Sequence, residues 1–212
     1  MSQMFASAEV RWFWCGRCPQ EIRDWFFKIG LPPGGGQYRI DRYIVQRSQP
    51  TLSIKQRGDE LTLEVKGQVT TRRTPELDPL ASYLEVWCKW SCAIPGLNFK
   101  DQLAVSKTRW RRKFDTSKHV RSEIPLATNE RPQRGYSLPI QGCDVELTEV
   151  KIVSKSGTWW TLGFEAFGNI DTVSANLTLV LLPDKPFLAR TIGSGALMSY
   201  PTWLMNETSR VN

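Results

Sequence analysis

The sequence contains no run of about 18–20 apolar residues, so no segment reads as a membrane-spanning helix. Its first residues, MSQMFASAEVRWFW, lack the basic flank, apolar stretch and small-residue cleavage site of a signal peptide, and a cytoplasmic protein is expected. There is one histidine, His119, in a polar stretch with no serine or cysteine motif near it, so it is read as exposed rather than catalytic. The cysteines number five, an odd count that argues against a secreted disulfide framework. Cys15 and Cys18 form one CxxC, but no second pair follows to complete a tetrahedral zinc site. Gly34-Gly35-Gly36 is not followed by the Lys-Ser/Thr of a phosphate loop and reads as linker. Internal repeats, low-complexity tracts and a βαβ rhythm are all missing, which excludes solenoids and doubly wound parallel sheets. The 212 residues are read as a single domain, 1–212.

What is present is charge and aromatic bulk. Lys and Arg total 28 against 21 Asp and Glu, a net charge of +7 that points to an anionic partner. Nine Trp and nine Phe can bury a large area with few residues.

Period-2 alternation dominates. Ser7 to Trp14 places Ala8, Val10, Trp12 and Trp14 on one face, and Ser7, Glu9, Arg11 and Phe13 on the other. Further strands are expected at Gln37–Gln46 and in a Leu52/Ile54–Leu61/Leu63/Val65 hairpin turning at Gly58-Asp59. Tyr83–Trp90, Gln102–Phe114, Cys143–Val153 and Trp159–Gly168 complete a set of eight. Gln102–Phe114 carries Lys107, Arg109, Arg111 and Lys113 on one face. Two helices are expected. The first places Ile22, Trp25, Phe26 and Ile29 at helical spacing between Pro19 and Gly30; the second follows Asp171 as cap and ends at Pro183. Arg72–Leu80 and Thr116–Gln141 read as loops.

This pattern predicts a mainly β (α+β) protein: an eight-stranded antiparallel closed β-tunnel or barrel with a few helices packed outside. Helices are the available cover for the apolar strand faces, so the charged faces should turn inward. A lumen of cations is relieved by interleaved carboxylates and by a bound polyanion.

The ordered motifs resemble the CYTH superfamily of triphosphate tunnel proteins. Ser7-Ala8-Glu9-Val10-Arg11 is similar to its E-x-E-x-K strand, and Asp41-Arg42-Tyr43 to its D-x-Y. Leu52-Ser53-Ile54-Lys55 with Leu61 through Lys66-Gly67 resembles its hairpin, and Lys107-Thr108-Arg109 its K-x-R strand. Val145 through Glu149, Phe164 through Phe167 and Ser199 through Leu204 resemble the remaining elements in order. The resemblance implies phosphate binding by Arg11, Lys55, Arg57, Lys66, Lys107, Arg109 and Arg111. It also implies Mg²⁺ or Mn²⁺ at Glu9 and Glu165, with Glu146 as a substitute ligand, and metal-dependent hydrolysis of a triphosphate. The chain departs from the family where it carries Ser7, Thr148 and Phe167, since carboxylates are expected at all three. Phosphate binding survives those changes better than catalysis does, and no catalytic residue is assigned.

The expected partner is a phosphate-bearing small molecule: a triphosphate, a nucleotide or polyphosphate. A non-catalytic sensor of such ligands is the first alternative. A nucleic-acid surface along Lys107–Phe114 is disfavoured, because on a strand Trp110 and Arg112 face away from Lys107, Arg109 and Arg111. A lipocalin-type barrel would need the apolar faces to point inward.

Overall fold

A computed structural model describes residues 3–28, 35–46, 48–58 and 62–209. Ile29, the Gly30 stop, the 31–34 stretch, Asp59 and Leu61 lie outside these residues. Ten strands form one sheet: β1 Gln3–Cys15, β2 Gln37–Ile44, β3 Leu52–Gln56, β4 Thr62–Arg73, β5 Tyr83–Ala93, β6 Leu103–Asp115, β7 Ser122–Ile124, β8 Gly142–Ile152, β9 Trp159–Gly168 and β10 Ala196–Leu197. Eight of them close a ring in the order β1-β5-β4-β3-β2-β6-β8-β9, and β9 returns to β1 from Ala6↔Gly168 to Cys15↔Trp159. Every pairing is antiparallel. The two short strands stand outside the ring, β7 on β6 and β10 on β1.

The helices are α1 Gln20–Lys28, α2 Val173–Leu181, α3 Lys185–Thr191 and α4 Tyr200–Ser209. Trp12, Trp14, Leu147, Leu162 and Phe164 point out of the barrel and are buried against Ile22, Trp25 and Phe26 of α1, Leu177, Val180 and Leu181 of α2, and Leu188 of α3. At roughly 1.5–3 kcal/mol per buried apolar side chain, this outer layer dominates the stability of the fold. Trp110 lies in it too, stacked at 5.9 Å on Trp160. The Arg112 guanidinium donates to the Phe26 carbonyl at 2.7 Å and pairs with Glu123. The 107–114 strand therefore presents no exposed run of aromatics and cations. No helix among the described residues is long and apolar enough to cross a membrane.

Several local expectations need adjusting. Arg72 and Arg73 continue β4, because Thr71, Arg72 and Arg73 pair with Glu85, Leu84 and Tyr83 past a register shift at Gln68/Thr70. The 116–141 segment is not wholly loop, since Ser122–Ile124 pairs with the end of β6. Asp171 does not cap α2. Its own N–H donates to Asn169 Oδ1 at 3.0 Å, and the Asn169 carbonyl accepts from Thr172 and Val173, so Asn169 organises the helix start. His119 is exposed, as expected, and all five cysteines are free.

Candidate functional site

Alternation sends one face of each barrel strand inward, and the register aligns those faces. Across β1 and β9, Glu9 stands opposite Glu165 and Arg11 opposite Gly163. Across β6 and β8, Arg111 stands opposite Glu146 and Arg109 opposite Thr148. On the facing wall, Arg39 of β2 is in register with Lys107, and Lys55 of β3 with Tyr43 and Glu64. The seven expected phosphate contacts, Arg11, Lys55, Arg57, Lys66, Lys107, Arg109 and Arg111, all line one cavity of about 150 Å³. Glu9, Glu146 and Glu165 line it as well.

The interior is an ion-pair network. Asp41, fully buried, accepts from Arg39 Nε at 3.0 Å, Lys55 Nζ at 3.2 Å and Lys107 Nζ at 3.1 Å. Burial opposes its ionisation, but the three cations hold its carboxyl far below the usual range. Glu146 bridges Arg11 at 3.1 Å and Arg109 at 2.8 Å, and its pKa is likewise driven down against the cost of burial. Burial also works against Glu64 and Glu165. Lys55 with Lys89 and Arg57 around Glu64, and Lys89 with Lys66 and Arg11 around Glu165, together outweigh it and bring each to about 2. Glu85 goes the other way, raised by burial and by nearby Glu9.

Tyr43 and Tyr200 frame the cation layer. Lys107 Nζ donates to Tyr43 Oη at 2.6 Å and lies 4.1 Å from the Tyr200 ring centroid, while Arg11 lies 4.8 Å from that ring. Ser199, Tyr200 and Pro201 bring the N-terminal end of α4 to the same cavity, adding its partial positive charge. Below them Phe13, Val105, Val150, Ile152, Trp203 and Leu204 fill the barrel with an apolar plug. Thr148 Oγ1 and Arg111 Nε are buried in this interior without a hydrogen-bond partner among the described residues, which leaves polar capacity for a ligand.

The three carboxylates expected to hold a metal are each paired with a cation. Glu9 pairs with Lys66, Glu165 with Lys89 at 3.5 Å, and Glu146 with two arginines. No group of three or more His, Cys, Asp or Glu able to hold an ion occurs among the described residues. Mg²⁺ and Mn²⁺ require hard oxygens turned to one point, and here the oxygens of these three carboxylates are turned to lysine and arginine.

The sequence reading did not assign Arg39, Lys89, Asp41, Glu64, Asp144, Glu130 or Gly163 to the site. Arg39, Lys89, Asp41, Glu64 and Asp144 lie on the inward faces of their strands, so alternation carried a signal for them. Glu130 comes from the loop between β7 and β8, and only the tertiary fold brings it to Arg109. At Gly163 a Cβ would sit 2.4 Å from the Arg11 Cζ, so the absence of a side chain there lets the guanidinium lie flat on β9.

No protein-family model matches the chain and no curated protein matches its sequence, so the likeness to tunnel proteins rests on the ordered motifs and on a closed eight-stranded antiparallel barrel compatible with that fold.

Proposed function

We propose that this protein binds a phosphate-bearing polyanion inside the barrel, with the phosphates against Arg11, Lys66, Arg109 and Arg111 and the wall of Arg39, Lys55, Arg57 and Lys107 behind them. The observation that carries this reading is charge: nine Lys and Arg line the cavity against five Asp and Glu. Asp41 and Glu130, one layer back, reduce that excess without removing it. An enclosed network with a net positive charge is costly, and an anion relieves it. Each charge-assisted hydrogen bond is worth roughly 1.5–3 kcal/mol, so about four suffice for micromolar affinity. At about 150 Å³ the cavity is smaller than the roughly 300–1,000 Å³ of organic-ligand pockets. It suits a short phosphate chain, with any organic end outside.

The geometry favours holding over cleaving. Glu9, Glu146 and Glu165 are each bonded to a lysine or arginine, and a divalent ion would have to displace those partners to reach them. Binding is therefore expected to persist in a chelator. Titration calorimetry with tripolyphosphate should show micromolar affinity that weakens steeply with salt. Arg111→Gln, at a residue whose two carboxylate partners are both 3.6 Å away, should weaken it about tenfold. Arg134→Gln, on an exposed loop, should not. No heat of binding to the wild-type protein at low salt would refute the reading.

A further inference from the structure

Among the described carboxylates that pair with cations of the lumen, Glu130 alone is carried by a loop and not by a barrel strand. Its turn is compact. Ala127 N–H donates to the Arg131 carbonyl at 2.8 Å, Glu130 N–H to the Ala127 carbonyl at 2.9 Å, and Arg131 N–H to Asn129 Oδ1 at 3.1 Å. Glu130 itself sits at φ 61°, a left-handed conformation that a non-glycine residue adopts only when its surroundings impose it. The result drives a buried carboxylate onto the basic wall. Arg109 donates Nε to Oε1 at 3.2 Å and Nη2 to Oε2, a bidentate fork, and Arg111 Nη2 donates to the Glu130 carbonyl at 2.8 Å. Glu146 takes the remaining edge of Arg109 at 2.8 Å.

A phosphate presents the same two-oxygen geometry to an arginine fork as this carboxylate does, with more charge. On the far side of Glu130 lies a second cavity of about 480 Å³, which shares Arg39, Arg57 and Arg109 with the lumen and has room for a displaced side chain. The turn is tethered beside it, with Gln37 Nε2 donating to the Thr128 carbonyl at 2.6 Å, so Glu130 could leave without the loop detaching from β2.

Building on the lumen reading, we propose that Glu130 is a resident competitor at the anion site. Its carboxylate occupies the Arg109 fork until a ligand of higher charge displaces it, which selects polyphosphates over singly charged anions. The strand-borne Glu146 and Asp41 remain in place and keep the barrel neutral enough to fold.

Calorimetry with tripolyphosphate on the wild type, Glu130→Gln and Glu149→Gln tests this. Glu149 lies on the outer face of β8, paired with Lys151, and its substitution controls for the loss of one negative charge. Glu130→Gln should bind about tenfold tighter and Glu149→Gln within about twofold of wild type. Hydrogen exchange on the wild-type protein gives a second readout independent of any variant: the amides of residues 127–131 should exchange faster once tripolyphosphate is bound. Unchanged or weaker binding by Glu130→Gln, or greater protection of those amides with ligand, overturns the displacement while leaving the lumen site standing. Absence of binding by all three proteins overturns both.

Discussion

The barrel interior holds two layers of opposite chemistry on the same strands. Along β1 the inward residues run Glu9, Arg11, then Phe13; along β6, Arg111, Arg109, Lys107, then Val105; along β8, Asp144, Glu146, Thr148, then Val150 and Ile152. The upper layer is an ion-pair network, and the lower one is an apolar plug closed by Trp203 and Leu204 of α4. Facing inward is therefore a property of backbone alternation, whereas what the interior does depends on which residues occupy those positions. The cation layer costs stability in isolation, because desolvating paired charges rarely returns its full penalty. Under the proposed function, ligand binding accounts for its presence.

The two layers can be set against each other by mutation. The largest effect is expected at Asp41, where alanine leaves Arg39, Lys55 and Lys107 around an empty centre. Removing one partner from such a buried network costs about 3–5 kcal/mol. Urea unfolding of Asp41→Ala should show that loss, together with loss of tripolyphosphate binding. Leu204→Ala in the plug should cost about 2–4 kcal/mol through its cavity, yet the molecules that remain folded should bind the anion with wild-type affinity. A similar loss of affinity in both variants would erase the distinction between the layers.

A smaller effect is expected from pH. Glu64 and Glu165 have folded pKa values of about 2, below their ordinary 4.5. Their contribution to stability is therefore fully present above pH 4.5 and is lost as pH falls through that value toward 2. Glu85 and Asp144, raised by burial, act with the opposite sign: their contribution is present below the ordinary carboxylate range and declines as pH rises through their folded values. The melting temperature should fall between pH 4.5 and 2, and Leu204→Ala should follow the same profile, since the plug contains no carboxylate. A flat melting temperature over that range would show that the network contributes nothing to the folded state.

Gly163→Ala gives the smallest stability change and the most local test. Its Cβ collides with the Arg11 guanidinium, which can shift but not stay flat on β9. Affinity should drop about tenfold, with stability changed by about 1 kcal/mol.

Much of this was legible in the sequence because strand periodicity is strict. Glu9 and Arg11, two residues apart, must share a face, and Trp12 and Trp14 must share the other. Closure of the ring followed from the need to cover the apolar face. Glu130 was not legible, because a loop residue has no period that fixes its direction. The role of Gly163 was hidden for a different reason, since it depends on a cross-strand neighbour, Arg11, set by register and not by local sequence. The plug was missed because Trp203 and Leu204 read as the end of a motif, and only the fold seats α4 in the barrel.

The central claim is one of location, and a crystal soaked in tripolyphosphate tests it most directly. The account predicts phosphate density inside the barrel, within hydrogen-bond reach of Arg11, Arg109 and Arg111, above the Tyr200 ring. Density confined to the outer surface, with the lumen ion pairs unchanged, would contradict it.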